Sequence, residues 1–79
     1  MHYVYIIQSE VDKSYYFGST QDINQRLSNH NQGLVHYTKT KRNWKLIWYC
    51  AFQDKTKALA FEKYLKHGSG HAFARKRLL

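Results

Sequence analysis

The chain has 79 residues, 16% of them aromatic, and a formal net charge of +8 at pH 7. This length predicts one compact domain over residues 1–79, because a core of that size barely offsets the conformational entropy lost on folding. The charge favours a polyanionic partner, nucleic acid first. No apolar run approaches the length that spans a membrane, which argues against a membrane protein. No leader segment is recognisable and Cys50 is the only cysteine, so we expect a reducing, cytoplasmic location.

Two strands open the chain. The β-branched and aromatic run His2–Gln8 predicts a strand buried on both faces. The polar residues Ser9–Ser14 predict a turn, and Tyr15–Thr20 predicts a second strand that pairs antiparallel with the first. If the number of turn residues is even, Tyr5 and Tyr16 lie on one sheet face, opposite each other or one diagonal apart. We therefore expect their hydroxyl groups to converge.

A helix is predicted over Asp22–Gln32. A capping Thr or Asp precedes an apolar stripe, and Gly33 stands just beyond the end. Arg26 and His30 each follow a residue of the stripe by three positions, so both lie at the edge of the buried side rather than opposite it. Their side chains can therefore reach across to the hairpin.

The rest of the chain predicts a loop and a third strand. Residues Leu34–Asn43 show no consistent period and carry several cations, which indicates an exposed loop. The aromatic and β-branched run Lys45–Gln53 predicts a strand buried on both sides.

Two helices are predicted at the end. The first is capped by Asp54 or Thr56, and Gly68 and Gly70 break it. Its apolar residues are Ala58, Leu59, Phe61 and Leu65. A short basic helix covers about His71–Leu78. The predicted fold class is therefore α+β, a three-stranded antiparallel sheet with flanking helices in the order β-β-α-β-α-α.

Glu62 is the one carboxylate without an evident structural place. The other four lie in the hairpin turn or at helix starts, where a carboxylate accepts free N–H groups. Glu62 lies on the apolar face of the second helix, where a charge needs a cation, hydrogen bonds or a raised pKa. It can pair with a nearby lysine such as Lys66, or it can be exposed at the edge of the stripe. It can also bind Mg²⁺, which often takes one or two protein oxygens together with phosphate and water.

The order of these residues resembles a nuclease family. Tyr3-Val4-Tyr5 and Tyr16-Phe17-Gly18, about ten residues apart, resemble the paired signature of the GIY-YIG nuclease superfamily. Arg26, His30 and Glu62 follow in the family's order, and the resemblance reaches from Tyr3 through the second helix. The members that the chain resembles are the small, single-domain, excision-repair-nuclease-like proteins. It implies a GIY-YIG-like fold and a divalent-metal-dependent endonuclease that hydrolyses phosphodiester bonds, in DNA rather than RNA, with Mg²⁺ or Mn²⁺ as cofactor.

The resemblance also implies a role for each side chain. Tyr5 would act as general base, and Tyr16 would hydrogen-bond the same water or phosphate. Arg26 would hold the scissile phosphate bidentately, and His30 would shuttle a proton or orient the base. Glu62 would bind the metal. The structural alternatives are packing for both tyrosines, a solvated surface position for the arginine and a structural role for the histidine.

Two further features bear on the comparison with the family, the glycine of the second motif and the residues after the second helix. Gly18 would permit a close backbone approach near the site. Catalytically active members of the family often carry an Asn after the metal-binding helix, and residues 68–79 contain none.

Several cations outside this group are predicted to contact phosphate backbones, which gives affinity without sequence choice. They are Lys39, Lys41 and Arg42, with Tyr37 and Trp44 beside them, and Arg75, Lys76 and Arg77 in the tail. The alternative for these residues is a merely solvated surface.

Three functions remain open. The first is the metal-dependent endonuclease, which the joint presence of Tyr5, Tyr16, Arg26 and Glu62 favours. The second is a nucleic-acid-binding module that kept the fold and lost catalysis. The third is a small basic RNA-associated or partner-recruiting protein. Substrate selection is expected to come from the shape of the nucleic acid, a partner protein, a dimer or another domain.

Overall fold

The computed structural model describes residues 1–79 and confirms the element order β-β-α-β-α-α. The strands are β1 (His2–Ser9), β2 (Tyr15–Thr20) and β3 (Trp44–Phe52). The helices are α1 (Ile23–Asn31), α2 (Lys55–Lys66) and α3 (Gly68–Arg77), with a one-turn 3-10 helix at Lys39–Lys41. The strands form one antiparallel sheet in the order β2-β1-β3. None of the helices combines the length and the apolar character that a membrane span requires.

β1 is the central strand and is buried on both faces, as its sequence predicts. Val4 and Ile7 are completely buried, and Tyr5 is nearly so. The register of the hairpin places Tyr5 opposite Gly18 and Ile7 opposite Tyr16. Tyr5 and Tyr16 therefore lie on the same face one diagonal apart, which confirms the predicted relation between them.

Each face of the sheet has its own hydrophobic cluster, because successive strand residues project to opposite faces. On the α2–α3 face, the buried residues are Val4, Ile6, Phe17, Ala58, Leu65 and Ala74. The opposite face, here called the tyrosine face, buries Tyr5, Ile7 and Trp44, with Tyr16, Leu27 and Leu46 at the margin of the cluster. The predicted functional side chains of the hairpin and of α1 meet on the tyrosine face.

The prediction that the third strand is buried on both sides was wrong. β3 lies at the edge of the sheet. Lys45 and Ala51 are exposed, and Tyr49 is 55% exposed. A run of aromatic and β-branched residues is typical of a central strand, but here the strand residues that pack against the cluster on the α2–α3 face are only partly buried. They are Ile47, Trp48, Cys50 and Phe52. The other side of the strand is only partly covered by α1.

The two C-terminal helices differ from the prediction in two ways. Leu59, expected in the apolar stripe of α2, is 45% exposed. Gly70, expected to break that helix, lies inside α3, which begins at Gly68 rather than near His71. A Cβ atom at Gly70 would overlap the carbonyl oxygen of Tyr64. This glycine therefore permits the close packing of α3 on α2 instead of ending a helix.

Candidate active site

Tyr5 and His30 form a buried pair at the centre of the tyrosine face. The Tyr5 hydroxyl oxygen lies 2.9 Å from Nε2 of His30, and the His30 side chain is completely buried. The histidine reaches the sheet from the last turn of α1. Asp22 caps the start of this helix by accepting the N–H of Gln25. The Tyr16 ring completes the group, with its centroid 4.9 Å from that of His30. The two phenols and the imidazole thus share one side of the sheet.

A chain of hydrogen bonds assigns the tautomer of His30. Nδ1 of His30 lies 2.7 Å from Oγ1 of Thr38, and the Thr38 hydroxyl donates to the Val35 carbonyl oxygen at 3.4 Å. Because the hydroxyl proton is used in that bond, the Thr38 oxygen accepts from Nδ1–H. Nε2 is then an acceptor, and it receives the hydroxyl proton of Tyr5. The chain runs from Tyr5 through His30 and Thr38 to a backbone carbonyl.

The segment Leu34–Asn43, predicted as an exposed loop, closes over His30. Thr38 is 1% exposed, and its carbonyl oxygen accepts the indole N–H of Trp44 at 3.0 Å. Trp44 is buried, so its predicted place at a phosphate-binding surface was wrong. The side chain of Asn31 explains the burial, since it bonds both the N–H and the carbonyl oxygen of Trp44, at 2.6 and 3.0 Å. The sequence did not indicate the burial of Thr38, because the segment around it is polar and shows no hydrophobic periodicity.

Burial keeps both members of the pair neutral at pH 7. It raises the pKa of Tyr5 to about 12, although the neighbouring Arg26 guanidinium acts in the opposite direction. It lowers the pKa of His30 to about 4, and the charge of Arg26 adds to that effect. Tyr5 therefore retains its proton, and Nε2 of His30 retains its lone pair.

Arg26 lies beside the two tyrosines and has a donor without an acceptor. Hydrogen bonding with Tyr5 is the main cause that raises the pKa of Arg26, and Tyr16 acts in the same direction. The Nε atom of Arg26 is buried and has no hydrogen-bond partner. A buried N–H group without an acceptor is unfavourable, and a guanidinium matches the oxygens of a phosphate group. The arrangement is suited to an oxyanion ligand.

Gly18 leaves the space that the Tyr5 ring occupies. A Cβ atom at Gly18 would lie 2.6 Å from Cζ of Tyr5 and would overlap its hydroxyl. The predicted close approach at this position is therefore an approach of a side chain to the backbone of the neighbouring strand.

Glu62 does not contact this group directly. It lies on α2, which packs on the opposite sheet face, and its side chain is 19% exposed. Its one ion-pair partner is Lys66, with Nζ 2.6 Å from Oε2. The charge of Glu62 nevertheless contributes, as the smallest of several causes, to the raised pKa of Tyr5. The structure brings Tyr5, Tyr16, Arg26 and His30 together and leaves Glu62 within electrostatic reach.

Glu62 is the residue that fits a divalent cation. Its Oε1 atom makes no hydrogen bond within the protein, and a partly buried carboxylate is a hard oxygen ligand of the kind Mg²⁺ prefers. No group of three His, Cys, Asp or Glu side chains is placed to hold a metal ion. The donor set therefore suits a cation that is shared with phosphate and water, and it does not suit a metal enclosed by protein.

The predicted phosphate-binding cations occupy two places. Lys41 is held against the hairpin by an ion pair with Asp12, with Nζ 3.1 Å from Oδ2. Its carbonyl oxygen also accepts the Ser9 hydroxyl at 2.8 Å. Hydrogen bonds from Ser14, followed by Lys41, hold the pKa of Asp12 well below its usual range. The other loop cations, Lys39 and Arg42, are exposed, and so are Arg75, Lys76 and Arg77 in the last turn of α3.

Comparisons with known proteins identify the family of this chain. Residues 1–76 match the family model of the GIY-YIG catalytic domain. The UPF0213 protein of Lactococcus lactis subsp. cremoris (strain SK11) is 37% identical over 67 residues, which are 84% of this chain and 67% of that protein. The UPF0213 protein YazA of Bacillus subtilis (strain 168) is 36% identical over 66 residues, 82% of this chain and 66% of YazA. The chain thus spans about two thirds of the length of these relatives.

A solved structure supports the same relation. The solution NMR structure of the UPF0213 protein BH0048 from Bacillus halodurans has a TM-score of 0.57 and 30% sequence identity to this chain. The match covers 98% of this chain and 85% of that one. The family model includes both sheet faces and the paired tyrosine motifs, so the resemblance read from the sequence is confirmed, and the chain belongs to the GIY-YIG catalytic domain family.

Proposed function

We propose that the protein is a divalent-metal-dependent endonuclease that hydrolyses phosphodiester bonds of nucleic acid, with DNA as its preferred substrate. The observation that carries the proposal is the 2.9 Å hydrogen bond from Tyr5 to His30 beside the unpaired Nε of Arg26. The Tyr5–His30 pair offers a route for a proton, and Arg26 offers a hydrogen-bond donor for a phosphate oxygen. Membership of a nuclease family supports the reaction class.

Arg26 binds the phosphate group in this proposal. Its guanidinium donates to the phosphate oxygens, and the Tyr16 hydroxyl, which lies beside the guanidinium, donates to one of the same oxygens. Donors that are already oriented stabilise the charge that grows on these oxygens as the water attacks. Arg26 and Tyr16 thus position the phosphodiester over the Tyr5 hydroxyl.

Tyr5 removes the proton of the attacking water through His30. As the Tyr5 oxygen accepts the proton of the water, its own proton moves to Nε2 of His30. No free phenolate forms, which is consistent with the high pKa of Tyr5, about 12. The charge of Arg26 lowers the pKa of His30, and a bound phosphate offsets that charge. Substrate binding therefore makes His30 a better proton acceptor.

The cation in this proposal is Mg²⁺ or Mn²⁺, and Glu62 would hold it in place of the ion pair with Lys66. When bound, such an ion supplies electrostatic stabilisation of charge on phosphate and leaving oxygens. A partner protein or a second copy of the chain would direct the domain to its substrate, in the cytoplasm.

The ion pair between Glu62 and Lys66 favours a second candidate function. A carboxylate paired with a lysine at 2.6 Å is already neutralised without a metal. In that case, the protein is a nucleic-acid-binding module that keeps the basic surface and does not cleave.

Nicking of supercoiled plasmid in Mg²⁺ or Mn²⁺ separates the two functions. We expect nicking by the wild type and by Glu10→Gln, which changes an exposed carboxylate in the hairpin turn. We expect no nicking by Glu62→Gln, whose thermal unfolding should resemble that of the wild type. Duplex binding without nicking by the wild type would establish the binding module. Nicking by Glu62→Gln at unchanged metal dependence would contradict the role of Glu62.

A further inference from the structure

A groove of about 480 Å³ lies on the α2–α3 face, at the edge strand β2. Its lining residues are Tyr15, Phe17, His71, Arg75 and Leu79. The proposed cleavage mechanism uses none of them. The volume is within the range of sites that hold small organic ligands, about 300–1,000 Å³.

Aromatic rings form one side of the groove. Tyr15 is 42% exposed, whereas Phe17 below it is buried. The rings of Phe17 and His71 lie with their centroids 6.1 Å apart, tilted by 50°. An exposed phenol ring above an apolar floor offers a flat surface of the type on which nucleobases stack.

Polar groups on α3 form the other side. Nδ1 of His71 lies 3.3 Å from the Leu65 carbonyl oxygen and donates to it, which leaves Nε2 as the second polar atom of the ring. Arg75 follows His71 by one helical turn, so its guanidinium lies on the same side of α3. A ring nitrogen and a fork of donors match the polar edge of a base, and the lining contains no Asp or Glu side chain to repel a phosphate.

The groove and the candidate active site lie along the same edge strand, β2, on opposite faces of the sheet. Tyr15 and Phe17 flank Tyr16 in β2 and project to the opposite face from it. No strand pairs with the outer edge of β2, so a nucleic-acid strand can pass from the Tyr16 hydroxyl around this edge. Arg75 lines the groove, and Lys76 and Arg77 add positive charge to the same last turn of α3.

Only an unpaired nucleotide can turn its base into such a groove, because the bases of an intact duplex are paired and stacked. We propose that the groove between Tyr15 and Arg75 binds one unpaired nucleotide next to the scissile phosphodiester. The preferred substrate is therefore a nucleic acid that has an unpaired segment at the cleavage point. The placement beside a scissile bond rests on the proposed nuclease function, but the binding itself does not require cleavage.

The test compares two labelled duplexes that carry short single-stranded tails of equal length. The nucleotides of one tail have thymine bases, and those of the other tail are abasic. Both have the same number of phosphates, so a difference in affinity reports the bases. Fluorescence anisotropy in EDTA measures binding by the full chain without cleavage. We expect the thymine tail to bind about tenfold more tightly, in line with the usual strength of base–aromatic stacking. Equal affinity for the two tails would overturn the proposal.

Variants locate the base preference on the surface. Tyr15→Ala should remove the preference, whereas Tyr49→Ala, an exposed tyrosine at the other edge of the sheet, should keep it. Because Tyr15→Ala changes a strand, Arg75→Gln at the exposed end of α3 serves as a second variant. It should weaken binding of the thymine tail about fivefold more than that of the abasic tail.

Loss of the preference in Tyr49→Ala instead would place the base at the wrong edge and overturn the proposal. A base preference that depends on Tyr15 in a protein that never nicks DNA would support the groove and contradict the nuclease. Nicking by a protein that binds both tails equally would support the nuclease and contradict the groove.

Discussion

The ring of Tyr5 occupies the space in which any side chain at Gly18 would stand. The two residues are direct partners in the β1–β2 pair, and a Cβ atom on Gly18 would lie 2.6 Å from Cζ of Tyr5. The hydroxyl of the same ring is bonded to His30. The ring therefore cannot move away from Gly18 without loss of that hydrogen bond, so the absence of a side chain at Gly18 permits the contact between Tyr5 and His30.

Gly18→Ala is expected to destabilise the protein and to abolish cleavage. The added methyl group displaces the Tyr5 ring in a packed core, which costs about 1–3 kcal/mol. Urea unfolding measures this loss. Gly68→Ala is the control, because its Cβ would meet no atom within 4 Å and the cost there, about 1 kcal/mol, comes from the positive φ. Normal cleavage by a fully folded Gly18→Ala protein would contradict the assignment.

Tyr5→Phe is expected to reduce the cleavage rate by about 100-fold or more, with little change in duplex affinity. The ring remains, but the proton that moves to Nε2 of His30 is removed. The unpaired acceptor also destabilises the fold by about 1–3 kcal/mol. Rate and affinity are measured on the same duplex, with Tyr3→Phe as control, since the Tyr3 ring packs on Tyr49. A parallel fall of rate and affinity would make Tyr5 a binding or packing residue.

Acid should destabilise the protein between pH 6.5 and 4 through His30. The pKa of His30 is about 4 in the folded protein, below its ordinary value, so the unfolded chain takes up the proton first. This contribution to stability is complete above pH 6.5 and is lost as the pH falls towards 4; its size is on the order of 3 kcal/mol. Asp12 acts only at lower pH, because its folded pKa is depressed below the carboxylate range.

Urea unfolding at pH 7, 5.5 and 4.5 measures this dependence. His30→Gln should flatten the change in unfolding free energy, whereas His36→Gln, at an exposed position of the loop, should leave it intact. An unchanged slope in His30→Gln would show that another group titrates.

The basic loop should contribute to the salt dependence of duplex binding. Each phosphate contact contributes about 0.9 to the slope of log affinity against log salt, so Lys39→Ala with Arg42→Ala should flatten it by about two units. Lys41→Ala should have a smaller effect, because Lys41 is already paired with Asp12.

Lys55→Ala with Lys57→Ala is the matched control for the loop variant. It removes the same charge from the exposed start of α2, and the slope should not change. The loop variant should also weaken binding to all duplex sequences alike, since phosphates carry no sequence information. An unchanged slope, or a loss confined to one sequence, would show that the loop does not bind phosphate.

The sequence by itself determined the local elements and the faces they present. The alternation of strand residues placed Tyr5 and Tyr16 on one side, and helical spacing placed Arg26 and His30 on the flank of α1 that faces them. The N-caps of α1 and α2 were each narrowed to two residues, Thr20 or Asp22 and Asp54 or Thr56, and in both cases the Asp carboxylate accepts a backbone N–H group. These features follow from bond geometry over a few residues, so a short window of sequence contains them.

Only the tertiary structure decided which strand lies at the edge, what covers His30 and what neutralises Glu62. The edge position of β3 depends on the order in which strands pair, and the burial of Thr38 depends on the return of a loop to the Trp44 backbone. The tautomer of His30 follows from that burial, since Thr38 is its second hydrogen-bond partner. Each of these features requires contacts between residues distant along the chain. No local period encodes such contacts, because they are selected by the free energy of the whole packed core.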